Sequence, residues 1–117
     1  MDPKVRRALE VGRENVEFGW VSKAMAKGPF GEVVGARNPA AVCWCALGAI
    51  FAAVPEGPEY TEVVSATVKA LVAAIPTSHG NVAERTITSY NDAPGRTKAE
   101  MLDLFDRALA KTEATPA

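Results

Sequence analysis

The sequence predicts a mainly α (α+β) fold: four to five short helices around one buried apolar helix, with a small β-hairpin in the N-terminal third. Three observations carry this. Apolar residues recur at helical spacing through most of the chain. Several of those stretches open with a capping residue followed by proline, or with a Thr-x-x-Glu box. One turn-rich run, GPFGE at 28–32, is flanked by short apolar runs instead. With 117 residues the chain fits a single domain, 1–117. A chain of this size buries roughly two thirds of its unfolded surface, so it needs neither disulfide nor metal to fold.

The first helix starts at Asp2-Pro3, carries Val5, Ala8, Leu9 and Gly12 on one face, and is predicted to end between Gly12 and Asn15. A strand is predicted from Phe18 to Ala26 and a second over EVVGA, 32–36, joined by the GPFGE turn. Asn38-Pro39 then predicts a helix to Val54, stopped by Pro55. This stretch, which includes CWCALGAIFAAV, has no charge and is apolar all round, the pattern of a buried helix. Ala41, Cys45, Ala49 and Ala53 fall four apart and would let neighbouring helices approach closely. A third helix runs from Pro58 to Ala74 with Val64, Val68, Leu71, Val72 and Ile75 as its stripe. IPTSHGN breaks it, and an Asn81-x-x-Glu84 cap opens a helix from Val82 to Tyr90. Thr97 and Glu100 form a capping box for a last helix to Lys111, with Met101, Leu104, Phe105, Ala108 and Leu109 inward and an Asp103–Arg107 pair outside. The tail from about residue 112 is predicted to fray.

Several function classes are excluded by composition. A net charge of −1 lacks the basic excess of nucleic-acid binders. The uncharged run 39–55 is shorter than the ~20 residues a membrane span needs, and the charged opening MDPKVRRALE predicts no secretory signal. Two cysteines without a Cys-x-x-Cys motif suit a reducing, cytoplasmic setting. Cys43, Cys45 and His79 would give zinc three ligands at most, so no metal or other cofactor is expected.

Catalysis has one nominal constellation: Cys45 as nucleophile, His79 as base and Asp92 as orienting group. Against it stand the apolar neighbours of both thiols, which predict core packing, and two helical residues spaced like Cys43 and Cys45 point about 200° apart. The stretch NDAPGRT, 91–97, is the better candidate site. It meets a helix start, where free N–H groups and a partial positive charge favour anions, and Arg96 and Lys98 add full charges. In the alternative reading it is a tight turn, with Thr97 a simple cap and Asp92 pairing with Arg96 or capping the preceding turn. Trp20 and Tyr90 could wall a pocket for a flat ring, or simply pack; Trp44 is predicted to be core.

Two stretches, AVCWCALGAI at 41–50 and ITSYNDAPGRTKAEMLDLFDRAL at 87–109, together with Gly19-Trp20, resemble a family of small uncharacterised proteins of bacteria and phages. The family pattern runs Gly-Trp, a Cys-rich apolar helix, then Trp-Asn-Asp and a Thr-led helix; here Tyr90 stands where Trp is commoner. The resemblance covers most of the chain from Gly19 and implies no settled activity. The favoured expectation is a non-catalytic binding module for a small anionic, nucleotide-like ligand held by Arg96, Thr97, Asn91 and Asp92 with Trp20 or Tyr90 stacked on its ring. The second expectation is a protein-binding or homo-oligomeric adaptor without a ligand, and the third a Cys-dependent hydrolase or transferase.

Overall fold

The capping signals open the first helix as expected in the computed structural model, which describes residues 1–76 and 86–114. Helix α1 spans Pro3–Phe18, and the Asp2 carboxylate accepts from the Lys4 N–H at 2.7 Å. Its buried face is Val5, Ala8, Leu9, Gly12 and Val16. The predicted stop between Gly12 and Asn15 is not made, because Gly12 is a packing position. A Cβ there would lie 3.0 Å from Phe105 Cε1. Glycine weakens a helix by about 1 kcal/mol, whereas burying a phenylalanine ring contributes about 2–3 kcal/mol.

The hairpin is present but short. Strands β1 (Ala26–Lys27) and β2 (Val33–Val34) pair antiparallel, Ala26 opposite Val34 and Lys27 opposite Val33. Gly31 turns the chain at φ +79°, a left-handed value that glycine adopts freely. Phe18, expected to start the first strand, is instead the last residue of α1.

The larger departure lies at residues 39–45, which are not helical. Asn38 Oδ1 accepts from the Ala40 N–H at 2.8 Å, closing a turn around Pro39 where a helix start was predicted. Cys43–Trp44 then forms strand β3, antiparallel to β1, so the sheet order is β2-β1-β3. The backbone partners are distant in sequence: the Val42 N–H donates to Lys27 O, Trp44 N–H to Gly19 O and Cys45 N–H to Met25 O. A parallel bridge between Trp20 and Trp44 covers the outer edge of β3. Helix α2 is therefore shorter than expected, Ala46–Ala53, with Cys45 as its N-cap. The row of small residues through Ala41 and Cys45 is no helix ridge, and Trp44 is half-buried, its Nε1 donating to Ala36 O at 2.9 Å. Arg37 Nη1 donates to Phe51 O and Val54 O at 2.7 and 2.6 Å, filling carbonyls that the end of α2 leaves open.

Helix α3 spans Tyr60–Ala74 and is rotated from the expected stripe. Val63, Thr67, Leu71 and Ala74 are buried, while Val64, Val68 and Val72 flank them half-buried. Thr67 enters the core because its hydroxyl donates to Val63 O at 2.7 Å, one turn back. Helix α4 is Ile87–Asp92, capped by Thr86. The expected Asn81 cap and the start at Val82 lie outside the described residues. Helix α5 spans Lys98–Ala114, past the predicted end at Lys111 and into the stretch expected to fray. Met101, Leu104, Phe105 and Ala108 are buried, and Arg107 Nε meets Asp103 at 2.6 Å as expected. α1 packs against α2, α3 and α5, and Arg13 ties it to Asp106 of α5 at 2.6 Å. Among the described residues no helix is long and apolar enough to cross a membrane.

Candidate functional site

The residues singled out around NDAPGRT come together, but largely on one another. Asn91, 1% exposed, is a four-way junction. Its Oδ1 accepts from Trp20 Nε1 at 2.8 Å and from the Ala46 N–H at 3.0 Å. Its Nδ2 donates to Val21 O at 3.2 Å and to Asp92 Oδ1 at 2.8 Å. These bonds match the donor and acceptor capacity of an amide. Ala46 begins α2, so one of that helix's orphan N–H groups is satisfied by a side chain from α4. Asp92 Oδ1 also accepts from the Lys23 N–H at 2.8 Å, holding Lys23 at φ +66°. Among the described residues Asp92 is held by Asn91 and Lys23, and the expected pairing with Arg96 is not made.

Arg96 turns inward. Its side chain is 10% exposed and its guanidinium lies 3.8 Å from the Tyr90 ring centroid. Nε donates to Tyr90 O at 2.7 Å and Nη1 to Glu100 Oε2 at 2.8 Å. The Glu100 carboxylate also accepts from the Thr97 N–H at 3.0 Å, and the Glu100 N–H donates to Thr97 Oγ1 at 3.2 Å. The predicted capping box is thus formed, and Glu100 sits where an outside anion would sit. The Thr97 N–H, the Thr97 hydroxyl and the Arg96 charge hold the Glu100 carboxyl below its usual range. That contribution to stability is present above the unfolded pKa and is lost as pH falls through the folded one. Tyr90 is 5% exposed and Trp20 is half-buried against the core.

Cys45 is 6% exposed, and its Sγ accepts from the Gly48 N–H at 3.2 Å and lies 3.8 Å from Met25 Sδ. Burial, with a smaller push from the Asp92 charge, raises its thiol pKa above the ordinary value, so the thiolate is scarce at neutral pH. His79, the base of the nominal triad, lies outside the described residues. Cys43 is half-buried, its Sγ 3.7 Å from Lys27 O. Among the described residues no three His, Cys, Asp or Glu side chains gather to hold a metal.

A cleft lies elsewhere, where the start of α1, the end of α2 and the start of α3 meet. It measures about 410 Å³ and has Ala8, Ala53, Pro55, Pro58, Tyr60 and Val63 among its walls. Its rim carries Lys4, Arg7, Glu56 and Glu59. Lys4 pairs with Glu59 across the mouth. Glu56 is held by Arg37 Nε at 3.1 Å, and the Arg37 guanidinium lies 5.9 Å from the Tyr60 ring centroid. Among the described residues the Arg7 side chain has no hydrogen bond or ion pair. None of the six ligand residues expected from the sequence lines this cleft. The sequence signal for it is faint: rigid prolines bracketing Glu56-Gly57, next to Tyr60.

The stretches that carried the family resemblance converge in space. Gly19-Trp20, the start of CALGAI and Tyr90-Asn91-Asp92 meet at the Asn91 junction, and Arg96 joins it to the Thr97-led helix. No curated protein and no solved structure matches the chain. One family model does match, over residues 2–111, so the chain belongs to the family of unknown function DUF6197.

Proposed function

We propose that this chain is a non-catalytic binding module and that its ligand lies in the α1–α3 cleft. The NDAPGRT stretch then serves to lock the fold, since its polar groups are engaged with one another. The observation that carries this reading is the cleft itself: its volume and mostly apolar lining, with a few charged groups at the rim, are those of small-molecule sites. The test is a melting-temperature screen against small apolar and amphipathic molecules, alongside mass spectrometry of whatever denaturation releases. A ligand at a hundredfold excess over Kd stabilises by about 2.7 kcal/mol, a shift of several degrees. Ala53→Phe, at a half-buried wall position, is expected to abolish the shift while melting within a few degrees of the parent. A shift that persists in this variant, or no released molecule and no shift at all, argues against the cleft.

A second reading, self-association, is favoured by the hairpin. Phe30 and Val33 are 91% and 71% exposed. Lys27 turns its backbone toward β3, where its C=O takes the Val42 N–H at 2.9 Å. Val33, opposite Lys27, therefore has its N–H and C=O on the open edge of β2. Sedimentation across a concentration series is expected to show a dimer that Val33→Lys dissolves. A monomer throughout rejects this reading.

A further inference from the structure

Resting on the cleft reading above, we infer that the ligand is an amphipathic monoanion, an aryl or branched-acyl acid, with its apolar body on Tyr60 and Val63 and its anionic head at Arg7. Size comes first. A cavity of about 150 Å³ accommodates a benzene ring, so the 410 Å³ cleft has room for two or three rings or an equivalent branched chain. Polarity comes second. Pro55 and Pro58 have no N–H, Val54 O is taken by Arg37, and Gly57 O accepts from the Tyr60 N–H at 3.1 Å. With these groups taken or absent, that part of the wall gives a nucleobase little to pair with, and buried polar groups left unpaired disfavour such a ligand. Charge comes third. Both rim carboxylates are neutralised within the fold, Glu59 by Lys4 and Glu56 by Arg37. Arg7 remains as an exposed guanidinium beside an apolar wall, a group suited to a carboxylate or sulfonate in paired hydrogen bonds.

The test uses two fluorescent probes that differ by one charge: 8-anilinonaphthalene-1-sulfonate and its neutral parent N-phenyl-1-naphthylamine. The full chain is expected to bind the sulfonate about tenfold more tightly, as one charge-assisted contact gives. The preference is expected to shrink as salt rises. Arg7→Gln should bring the two probes to parity without changing the neutral probe's Kd, and Ala53→Phe should weaken both. Equal binding by the parent chain, or a preference that survives Arg7→Gln, overturns the anion assignment and leaves the cleft standing. Undiminished binding of both probes to Ala53→Phe overturns the cleft reading itself.

Discussion

Asn91→Ala is expected to lower stability by about 3–5 kcal/mol, a large part of the 5–15 kcal/mol typical of a domain. The substitution removes no large apolar group. Its effect comes from the groups left behind. The Ala46 N–H is fully buried and loses its acceptor; an orphaned buried donor costs about 1–3 kcal/mol. Trp20 Nε1 and Val21 O lose partners too. Each is part-buried and can recover some hydration, so each contributes about 1 kcal/mol. Asp92 keeps the Lys23 N–H but loses the amide that positions it. Urea unfolding followed by circular dichroism checks this: the midpoint should fall with the slope unchanged. A loss under about 1 kcal/mol would show that the junction contributes no more than an ordinary hydrogen bond.

Gly48→Ala is expected to destabilise by about 1–3 kcal/mol, against the direction that helix propensity gives. Alanine in place of glycine favours a helix by up to about 1 kcal/mol. Here the added Cβ would stand 2.1 Å from Met25 O, a backbone atom with no rotamer to relieve the contact. Either α2 or the chain entering β1 must shift, and the Cys45 N–H bond to Met25 O, 3.2 Å long, goes with it. Overpacking of this kind costs about 1–3 kcal/mol, and the lost bond adds about 1 kcal/mol. Gly35→Ala is the control, because nothing lies within 4 Å of its added Cβ; it should change stability by less than about 1 kcal/mol. Thermal melts of the two variants side by side decide the matter. A Gly48→Ala chain melting at or above the parent would refute the close approach of α2 to Met25.

The glycines and caps show where the sequence could be read and where it could not. Gly12 looked like a helix stop and is the place where Phe105 packs. The Thr97–Glu100 box was legible because both partners lie within one turn and the pairing needs no residue distant in sequence. Arg96, three residues from Ala93 and beside that cap, looked like an anion receptor. Its actual partners are the Tyr90 ring and carbonyl and the Glu100 carboxylate. Its charge was evident from the sequence, but the direction in which it turns was not. The cleft was barely legible, since its walls come from three elements and only Pro55 and Pro58 mark it along the chain.

The sequence alone determined the mainly helical class, the start of α1 at Asp2-Pro3, the stop of α2 before Pro55, the hairpin turn at Gly28–Glu32 and the cap of α5. Each rests on backbone groups and side chains a few residues apart, whose geometry is fixed by the residues themselves. The tertiary structure decided that Cys43–Trp44 is a strand, which face of α3 is buried, and where a cavity is left. An uncharged run such as CWCALGAI buries equally well as strand or helix. The choice fell to Gly19, Met25 and Lys27, whose carbonyls were the partners available once the chain had folded back on itself.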